Sequence, residues 1–298
     1  MQKTVNGGSM GGLKIVGVHG IKQGSDATTA GLSASWQATI DETLAAAPES
    51  GAGAVITVPS YQAVFPRTPT RYVRLGGSET GFLSEGRAID EEEEAFILQA
   101  LAAYAPSTVE DESPEAGLTL GDGHLTPRIV RRVQAVDRKI GKGVTGRLLW
   151  FVREAHAYLR KEETAVAVRA AVAEALADTG AHMVIAHSLG SVVVYDMLSR
   201  GEAPGVTMLV TCGSPLGWLA GRKGIHSGGE RLTVPVGVKW ANLYASKDFV
   251  TGCVGLSQLA PGVTDIEVNN GTFPPAHDVH RYLDKPALVE LIAKAGTA

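Results

Sequence analysis

The chain has little cysteine and no long apolar run, and these absences exclude several classes of protein. Two cysteines in 298 residues, Cys212 and Cys253, allow at most one bridge, so a disulfide framework is excluded. No apolar run approaches the roughly 18–20 residues that a membrane-spanning helix needs. The amino-terminal segment lacks the basic start and apolar core of a secretory signal. We therefore expect a cytoplasmic protein.

An excess of positive charge is also missing. The chain has 27 Lys and Arg against 31 Asp and Glu, a net charge of −4, which gives no indication of nucleic-acid binding. A Gly-x-x-x-x-Gly-Lys-Ser/Thr phosphate loop is absent, and Gly51-Ala52-Gly53 precedes a predicted strand instead of following one. His277 and His280 have neither a neighbouring Glu nor a further ligand cluster. We expect neither a metal nor a cofactor.

Length and composition predict one domain. With 298 residues, 44% of them apolar, the chain is long enough to bury a sizeable core. No internal repeat and no linker divides it. We predict a single domain over residues 13–298, with the Gly- and Ser-rich residues 1–12 as a tail outside the fold.

Apolar, β-branched segments alternate with segments of helical periodicity. Strands are predicted at 13–21, 55–61, 183–187, 206–211 and 238–244, and helices at 32–47, 164–177 and 286–295. Strand, helix and strand in succession predict a parallel sheet with right-handed crossovers. The fold class is therefore α/β, a mostly parallel sheet flanked by helices.

The alternation lapses over residues 66–147, which we predict to be a helical insertion that forms a cap or lid. Helices are predicted at 88–104 and 126–140, with a polar loop at 105–125 between them. The second helix and its continuation to residue 147 carry seven basic residues against one acid, Asp137. This segment favours a solvated outer face, because Gly141, Gly143 and Gly146 cut the helix short. The alternative is a weak contact with an anionic membrane surface.

A serine lies between a buried-type strand and an apolar helix, in Ala186-His187-Ser188-Leu189-Gly190. A reactive serine in such a turn projects clear of the sheet, and the residues two before and two after it crowd each other. Both must be small, as Ala186 and Gly190 are, although the usual pattern has Gly in the first place. The alternative is a helix that simply begins at a serine cap. The context favours Ser188 as a nucleophile.

A serine hydroxyl needs an adjacent base, and that base needs an orienting acid. When the serine lies in a turn between a strand and a helix, the acid follows it in the chain, just past the end of a later strand. Asp248 has that position after the strand at 238–244; its alternative role is that of a turn carboxylate. Asp196 is a poor rival because it lies eight residues past the serine in the same helix, and Asp265 is a weaker candidate in a later loop.

The base follows the acid, and only His277 and His280 do so. Spacing alone does not separate them. The backbone N–H of Leu189, directly after the serine, is a natural donor to a developing oxyanion, and the N–H of Ile21 after His19-Gly20 is the best second candidate. We expect His19 and His187 to be packed or hydrogen-bonded neighbours.

Four segments stand out beside the late histidine: Val-His-Gly-Ile, Ala-His-Ser-Leu-Gly-Ser, Thr-Cys-Gly-Ser-Pro-Leu-Gly and Trp-Ala-Asn-Leu-Tyr-Ala-Ser-Lys-Asp. Together they resemble bacterial α/β-hydrolases of the lipase and esterase type. The resemblance covers about residues 13–61 and 164–292, and the insertion is unmatched. In such relatives the late histidine often precedes a Tyr-Leu or Tyr-Trp pair, which Tyr282-Leu283 reproduces, so the resemblance favours His277, with His280 as the alternative base.

The resemblance implies an α/β-hydrolase fold with Ser188 as nucleophile, Asp248 as orienting acid and His277 as base. It implies a serine hydrolase that cleaves a small-molecule carboxylic ester without a cofactor, beneath an insertion that roofs the site. A thioesterase or amidase with the same residues is one alternative. A catalytically silent binding protein that keeps the scaffold is another.

Overall fold

A parallel sheet is the centre of the computed structural model. The structure describes residues 12–20, 27–50, 53–65, 70–72, 82–84, 89–102, 126–140, 144–220, 231–272 and 274–297. Its strands are β1 (Leu13–Val18), β2 (Ala54–Thr57), β3 (Thr70–Tyr72), β4 (Phe82–Ser84), β5 (Met183–His187), β6 (Met208–Cys212), β7 (Lys239–Tyr244) and β8 (Thr264–Glu267). Among these residues, six strands form one parallel sheet in the order β2-β1-β5-β6-β7-β8, and β3 pairs with β4 in an antiparallel hairpin. The prediction of a mostly parallel sheet is confirmed.

The described helices lie on both faces of the sheet and in the insertion. They are α1 (Thr29–Ala45), α2 (Glu91–Ala102), α3 (Pro127–Ile140), α4 (Val144–Arg160), α5 (Glu162–Thr179), α6 (Leu189–Ser199), α7 (Leu216–Leu219), α8 (His280–Leu283) and α9 (Pro286–Gly296). None of them is long and apolar enough to cross a membrane.

The two central strands β5 and β6 are buried along their whole length, as expected for a sheet covered on both faces. Alternate residues of β5 point to opposite layers. Met183 and Ile185 belong to the apolar cluster formed with α1, α8 and α9. Val184 and Ala186 belong to the cluster that includes α5, α6 and the insertion. The apolar runs in the sequence therefore become the middle of a three-layer structure.

The helical insertion is confirmed between β2 and β5 in chain order. Helices α2, α3 and α4 pack against one another, and α4 also packs against α5. Helix α4 begins at Val144 and continues to Arg160, past the predicted end of the insertion at residue 147. In α3 the predicted apolar face is buried at Ile129, Val133 and Val136. The predicted loop at 105–125 and Lys142 lie outside the described residues.

Two local predictions differ from the structure. The segment around Asp265, predicted as a loop, is strand β8, so that prediction is wrong. This strand is at the edge of the sheet, and none of its four residues is fully buried, so it lacks the apolar run that marks the inner strands. Helix α1 begins at Thr29 instead of residue 32, because the hydroxyl of Thr28 accepts a hydrogen bond from Gly31 N–H at 3.1 Å and caps the helix.

The domain bounds stay a prediction. Residues 1–11 of the predicted tail at 1–12 lie outside the described residues, and so do most of the residues at 66–88 in the amino-terminal part of the insertion.

Candidate active site

A tight turn between β5 and α6 holds Ser188. Its backbone has φ 54° and ψ −124°, in the positive-φ region that side-chain-bearing residues rarely adopt. Gly190, two residues later, lets α6 begin close to β1, because a Cβ at that position would overlap the carbonyl oxygen of Val18 on that strand. The small residue expected two places after the serine is therefore required by the contact between α6 and β1.

Gly20 brings the end of β1 against the serine. A Cβ on Gly20 would lie 2.7 Å from Cβ of Ser188 and 3.3 Å from its Oγ. Only a residue without a side chain leaves the Ser188 hydroxyl its present space. Preceding it, His19 is buried and stacks on Tyr61, with ring centroids 3.9 Å apart, and the Tyr61 hydroxyl donates to the carbonyl oxygen of His19.

The Ser188 hydroxyl is hydrogen-bonded to His277. Ser188 Oγ lies 2.9 Å from Nε2 of the imidazole, and Ser188 itself is buried. His277 ends a short 3-10 turn, Pro275–His277, that follows β8, while Ser188 follows β5. Because the parallel strands end at the same edge of the sheet, residues 89 positions apart in the chain meet there.

Asp248 completes this chain of hydrogen bonds. Its Oδ2 lies 2.8 Å from His277 Nδ1, and its Oδ1 accepts a hydrogen bond from Val250 N–H at 3.0 Å. The carboxyl group is wholly buried, whereas the His277 side chain is 18% exposed. Asp248 follows β7 and caps the short 3-10 turn at Phe249–Thr251. The turn role and the contact with histidine, which the sequence presented as alternatives, coexist because each uses a different carboxylate oxygen.

These bonds define the proton positions. An ionised carboxylate only accepts hydrogen bonds, so His277 carries its proton on Nδ1 and donates it to Asp248. The other ring nitrogen, Nε2, is then an acceptor, and the Ser188 hydroxyl donates to it. In this tautomer His277 is set to take the serine proton, which is the requirement for a general base.

A tyrosine that sequence reasoning used only as a position marker also contacts the acid. The hydroxyl of Tyr282, on α8, donates to Asp248 Oδ2 at 2.7 Å. Burial, followed by the charge of Asp248, raises the pKa of Tyr282 far above its ordinary value, so the phenol stays protonated. The five-residue spacing from His277 to Tyr282 was visible in the sequence, but it carried no information about a contact across the sheet edge.

The other candidate base points elsewhere. His280 Nδ1 lies 2.8 Å from the Thr39 hydroxyl and its Nε2 lies 3.3 Å from the Ser35 hydroxyl, both on α1. The structure therefore brings His277, and not His280, to Ser188.

Of the two candidate oxyanion donors, one is described. Leu189 is the first residue of α6, where backbone N–H groups have no intrahelical acceptor and lie at the positive end of the helix. Ile21, the other candidate, lies outside the described residues. Gly20, just before it, is in contact with Ser188.

The rival carboxylates have structural partners. Asp196 is buried and accepts hydrogen bonds from the Tyr158 hydroxyl at 3.0 Å and from Arg200 Nε at 2.8 Å, and it also pairs with Arg169. Asp265 accepts from the Asn242 side chain, and two backbone N–H groups also donate to it at 2.7 and 2.8 Å. Against the effect of burial, these bonds lower the pKa of Asp265.

Comparison with known proteins returns no match to a protein-family model, a curated protein or a solved structure. Within the described part of the chain, no group of three or more His, Cys, Asp or Glu side chains is arranged to hold a metal ion. The described structure is an α/β protein with a six-stranded parallel sheet and a helical insertion, in which Ser188, His277 and Asp248 lie together at the carboxyl edge of the sheet.

Proposed function

We propose that this protein is a serine hydrolase of the α/β-hydrolase type that cleaves a carboxylic ester through an acyl-enzyme. The observation that carries the proposal is the continuous chain of hydrogen bonds from Ser188 Oγ through both nitrogens of His277 to Asp248. The positive φ of Ser188 supports it, because backbone strain of this kind costs on the order of 1–3 kcal/mol and is concentrated at functional sites.

Acylation uses the proton positions described above. Ser188 Oγ attacks the ester carbonyl carbon while His277 Nε2 takes the hydroxyl proton, and the carbonyl electron pair moves onto the oxygen. The buried carboxylate of Asp248 stabilises the imidazolium that forms. When the tetrahedral intermediate collapses, the bond from carbon to the alcohol oxygen breaks and His277 returns its proton to the departing alcohol.

Deacylation repeats these steps with water. His277 Nε2 takes a proton from a water molecule, whose oxygen attacks the acyl carbon. The bond from carbon to Ser188 Oγ then breaks, and His277 returns the proton to the serine. The products are a carboxylic acid and an alcohol, and no external electron donor or acceptor is needed.

The oxyanion is assigned to two backbone donors. The N–H of Leu189 is the first donor that we propose, because it lies at the start of α6, where the positive end of the helix favours a negative charge. The N–H of Ile21 is the second donor that we propose, and the contact of Gly20 with Ser188 supports it by bringing the chain before Ile21 to the serine.

The insertion is proposed to form the roof of the site. Phe151 on α4 packs edge-on against Trp218 in α7, with ring centroids 5.8 Å apart. Trp218 in turn donates from Nε1 to the carbonyl oxygen of Val250 at 2.7 Å, two residues past Asp248. A helix of the insertion is therefore coupled to the segment that carries the acid. The membrane contact of the basic helix α3 stays a prediction.

Turnover of a panel of p-nitrophenyl esters with increasing acyl length tests the proposal. We expect hydrolysis by the wild type and its loss in Ser188→Ala. Ser199→Ala, at the exposed end of the same helix, is the matched control and should hydrolyse normally. Parallel thioester and anilide panels separate an esterase from a thioesterase or amidase. Absence of Ser188-dependent turnover in all three panels would contradict the proposal and favour a binding protein.

A further inference from the structure

Tyr282 and His277 share one oxygen of Asp248. The Tyr282 hydroxyl lies 2.7 Å from Oδ2, and His277 Nδ1 lies 2.8 Å from the same atom. Tyr282 is fully buried on α8, so water does not compete for its hydroxyl. The second oxygen, Oδ1, is occupied by Val250 N–H. The buried carboxylate thus has three donors, of which two meet on the oxygen that faces the base.

We propose that Tyr282 is a positioning residue that fixes the Asp248 carboxylate and limits how strongly it binds the Nδ1 proton of His277. The proposed role in turnover rests on the proposed function, whereas the hydrogen-bond competition itself does not.

The physical basis is the sharing of negative charge. Each donor to a carboxylate stabilises its charge and leaves less of it to interact with the other donors. Without the phenol, Oδ2 would have His277 as its only donor among these contacts, and the bond from Nδ1 would strengthen.

The phenol is suited to this role because it does not titrate near neutral pH. Burial and the charge of Asp248 raise the pKa of Tyr282 far above its ordinary value. It is therefore a neutral, permanent donor, which a histidine or lysine at the same place would not be.

Other ionisable side chains lie near the group formed by His277, Asp248 and Tyr282. Burial lowers the pKa of His187 well below its ordinary value and that of His19 to about 4, and burial raises the pKa of Cys212 and Cys253. These four groups keep one charge state between about pH 5 and pH 8. His280, on the same helix as Tyr282, directs its imidazole to α1.

Proton NMR of the full chain tests the hydrogen bond directly. The Nδ1 proton of His277, identified by its loss in His277→Gln, should move downfield in Tyr282→Phe, and ester turnover should fall because the carboxylate is no longer fixed. Tyr195→Phe is the matched control, because this tyrosine is equally buried and its hydroxyl accepts a hydrogen bond from Thr233 N–H at 3.0 Å. An unchanged resonance of the Nδ1 proton in Tyr282→Phe would overturn the proposal.

A second measurement avoids any loss of packing. Biosynthetic replacement of tyrosine by 3-fluorotyrosine makes the hydroxyl a stronger donor, so the Nδ1 proton should move upfield in the wild-type sequence and stay in place in Tyr282→Phe. An equal change of the Nδ1 resonance in the wild type and in Tyr282→Phe would overturn the proposal. If the wild type has no Ser188-dependent turnover, the proposed function fails while the NMR comparison still decides the role of Tyr282.

Discussion

His187 Nε2 lies 3.0 Å from the backbone carbonyl oxygen of His277, so the residue that precedes Ser188 contacts the backbone of the residue that is hydrogen-bonded to the Ser188 hydroxyl. Burial lowers the pKa of His187 far below its ordinary value. The ring is therefore neutral and donates through Nε2–H to the carbonyl. This bond connects the β5 turn to the segment after β8.

We expect His187→Ala to reduce ester turnover roughly fivefold, because loss of a hydrogen bond of about 1 kcal/mol frees the backbone of His277. His187→Gln, which restores a donor of similar reach, should recover part of the rate. Steady-state kinetics, with folding checked by circular dichroism, measures both. Equal rates in His187→Ala and the wild type would show that the bond does not position the base.

Alanine variants of the two late histidines should differ sharply in turnover. His277→Ala should reduce turnover by about a thousandfold or more, because Ser188 loses its proton acceptor. His280→Ala removes the side-chain bonds to Thr39 and Ser35 and should keep the wild-type rate, with a loss of about 1 kcal/mol in the free energy of unfolding. Loss of turnover in His280→Ala alone would reverse the assignment of the base.

Asp248 and Asp196 provide a paired test of the acid. Asp248→Asn should reduce turnover by about 10⁴-fold, because the amide no longer specifies the tautomer of His277. Asp196→Asn weakens the buried pairing with Arg169 and should lower the free energy of unfolding by about 3 kcal/mol without a comparable loss in rate. Turnover measured beside urea denaturation separates the two, and the opposite pattern would make Asp196 the acid.

Stability should fall as the solution is acidified below about pH 6.5. Burial lowers the pKa of His19 from 6.5 to about 4, so between these values the unfolded chain binds a proton that the folded chain does not. Because of His19, the free energy of unfolding therefore falls by about 1.4 kcal/mol per pH unit as pH falls from 6.5 to 4.

Urea denaturation from pH 7 to pH 4 measures this dependence. Carboxylates titrate in the same range. The contribution of His19 is therefore the difference between wild type and His19→Gln in the slope of the free energy of unfolding against pH. The variant should lose the His19 contribution to the slope, while its lost packing against Tyr61 lowers stability equally at every pH. Identical slopes would show that His19 does not remain neutral in the folded state.

Local constraints explain which parts of the site were predictable. Gly190 was predicted from the crowding expected within the turn around Ser188, whereas in the structure its missing side chain leaves room for the Val18 carbonyl oxygen of β1. Asp248 was found because parallel strands place their loops at one edge. Strand β8 was not found, because an edge strand with exposed polar residues has no apolar run to mark it.

The remaining contacts join segments far apart in the chain. Choosing His277 over His280 depends on which face of a short segment is turned to Ser188, and three residues of spacing do not specify it. The bond from Tyr282 to Asp248 and that from His187 to the carbonyl of His277 are likewise set by packing between elements. The residue type determines the chemistry that such a side chain can perform. It does not determine which partner the side chain contacts in the fold.

The central claim is that Ser188 is a nucleophile activated by His277. Intact-mass and peptide mass spectrometry after reaction with a fluorophosphonate tests it most directly, since the reagent phosphonylates an activated serine. We predict one adduct, on the peptide that contains Ser188, which disappears in Ser188→Ala and forms much more slowly in His277→Ala. An unmodified wild type, or equal modification of Ser188→Ala, would contradict the account.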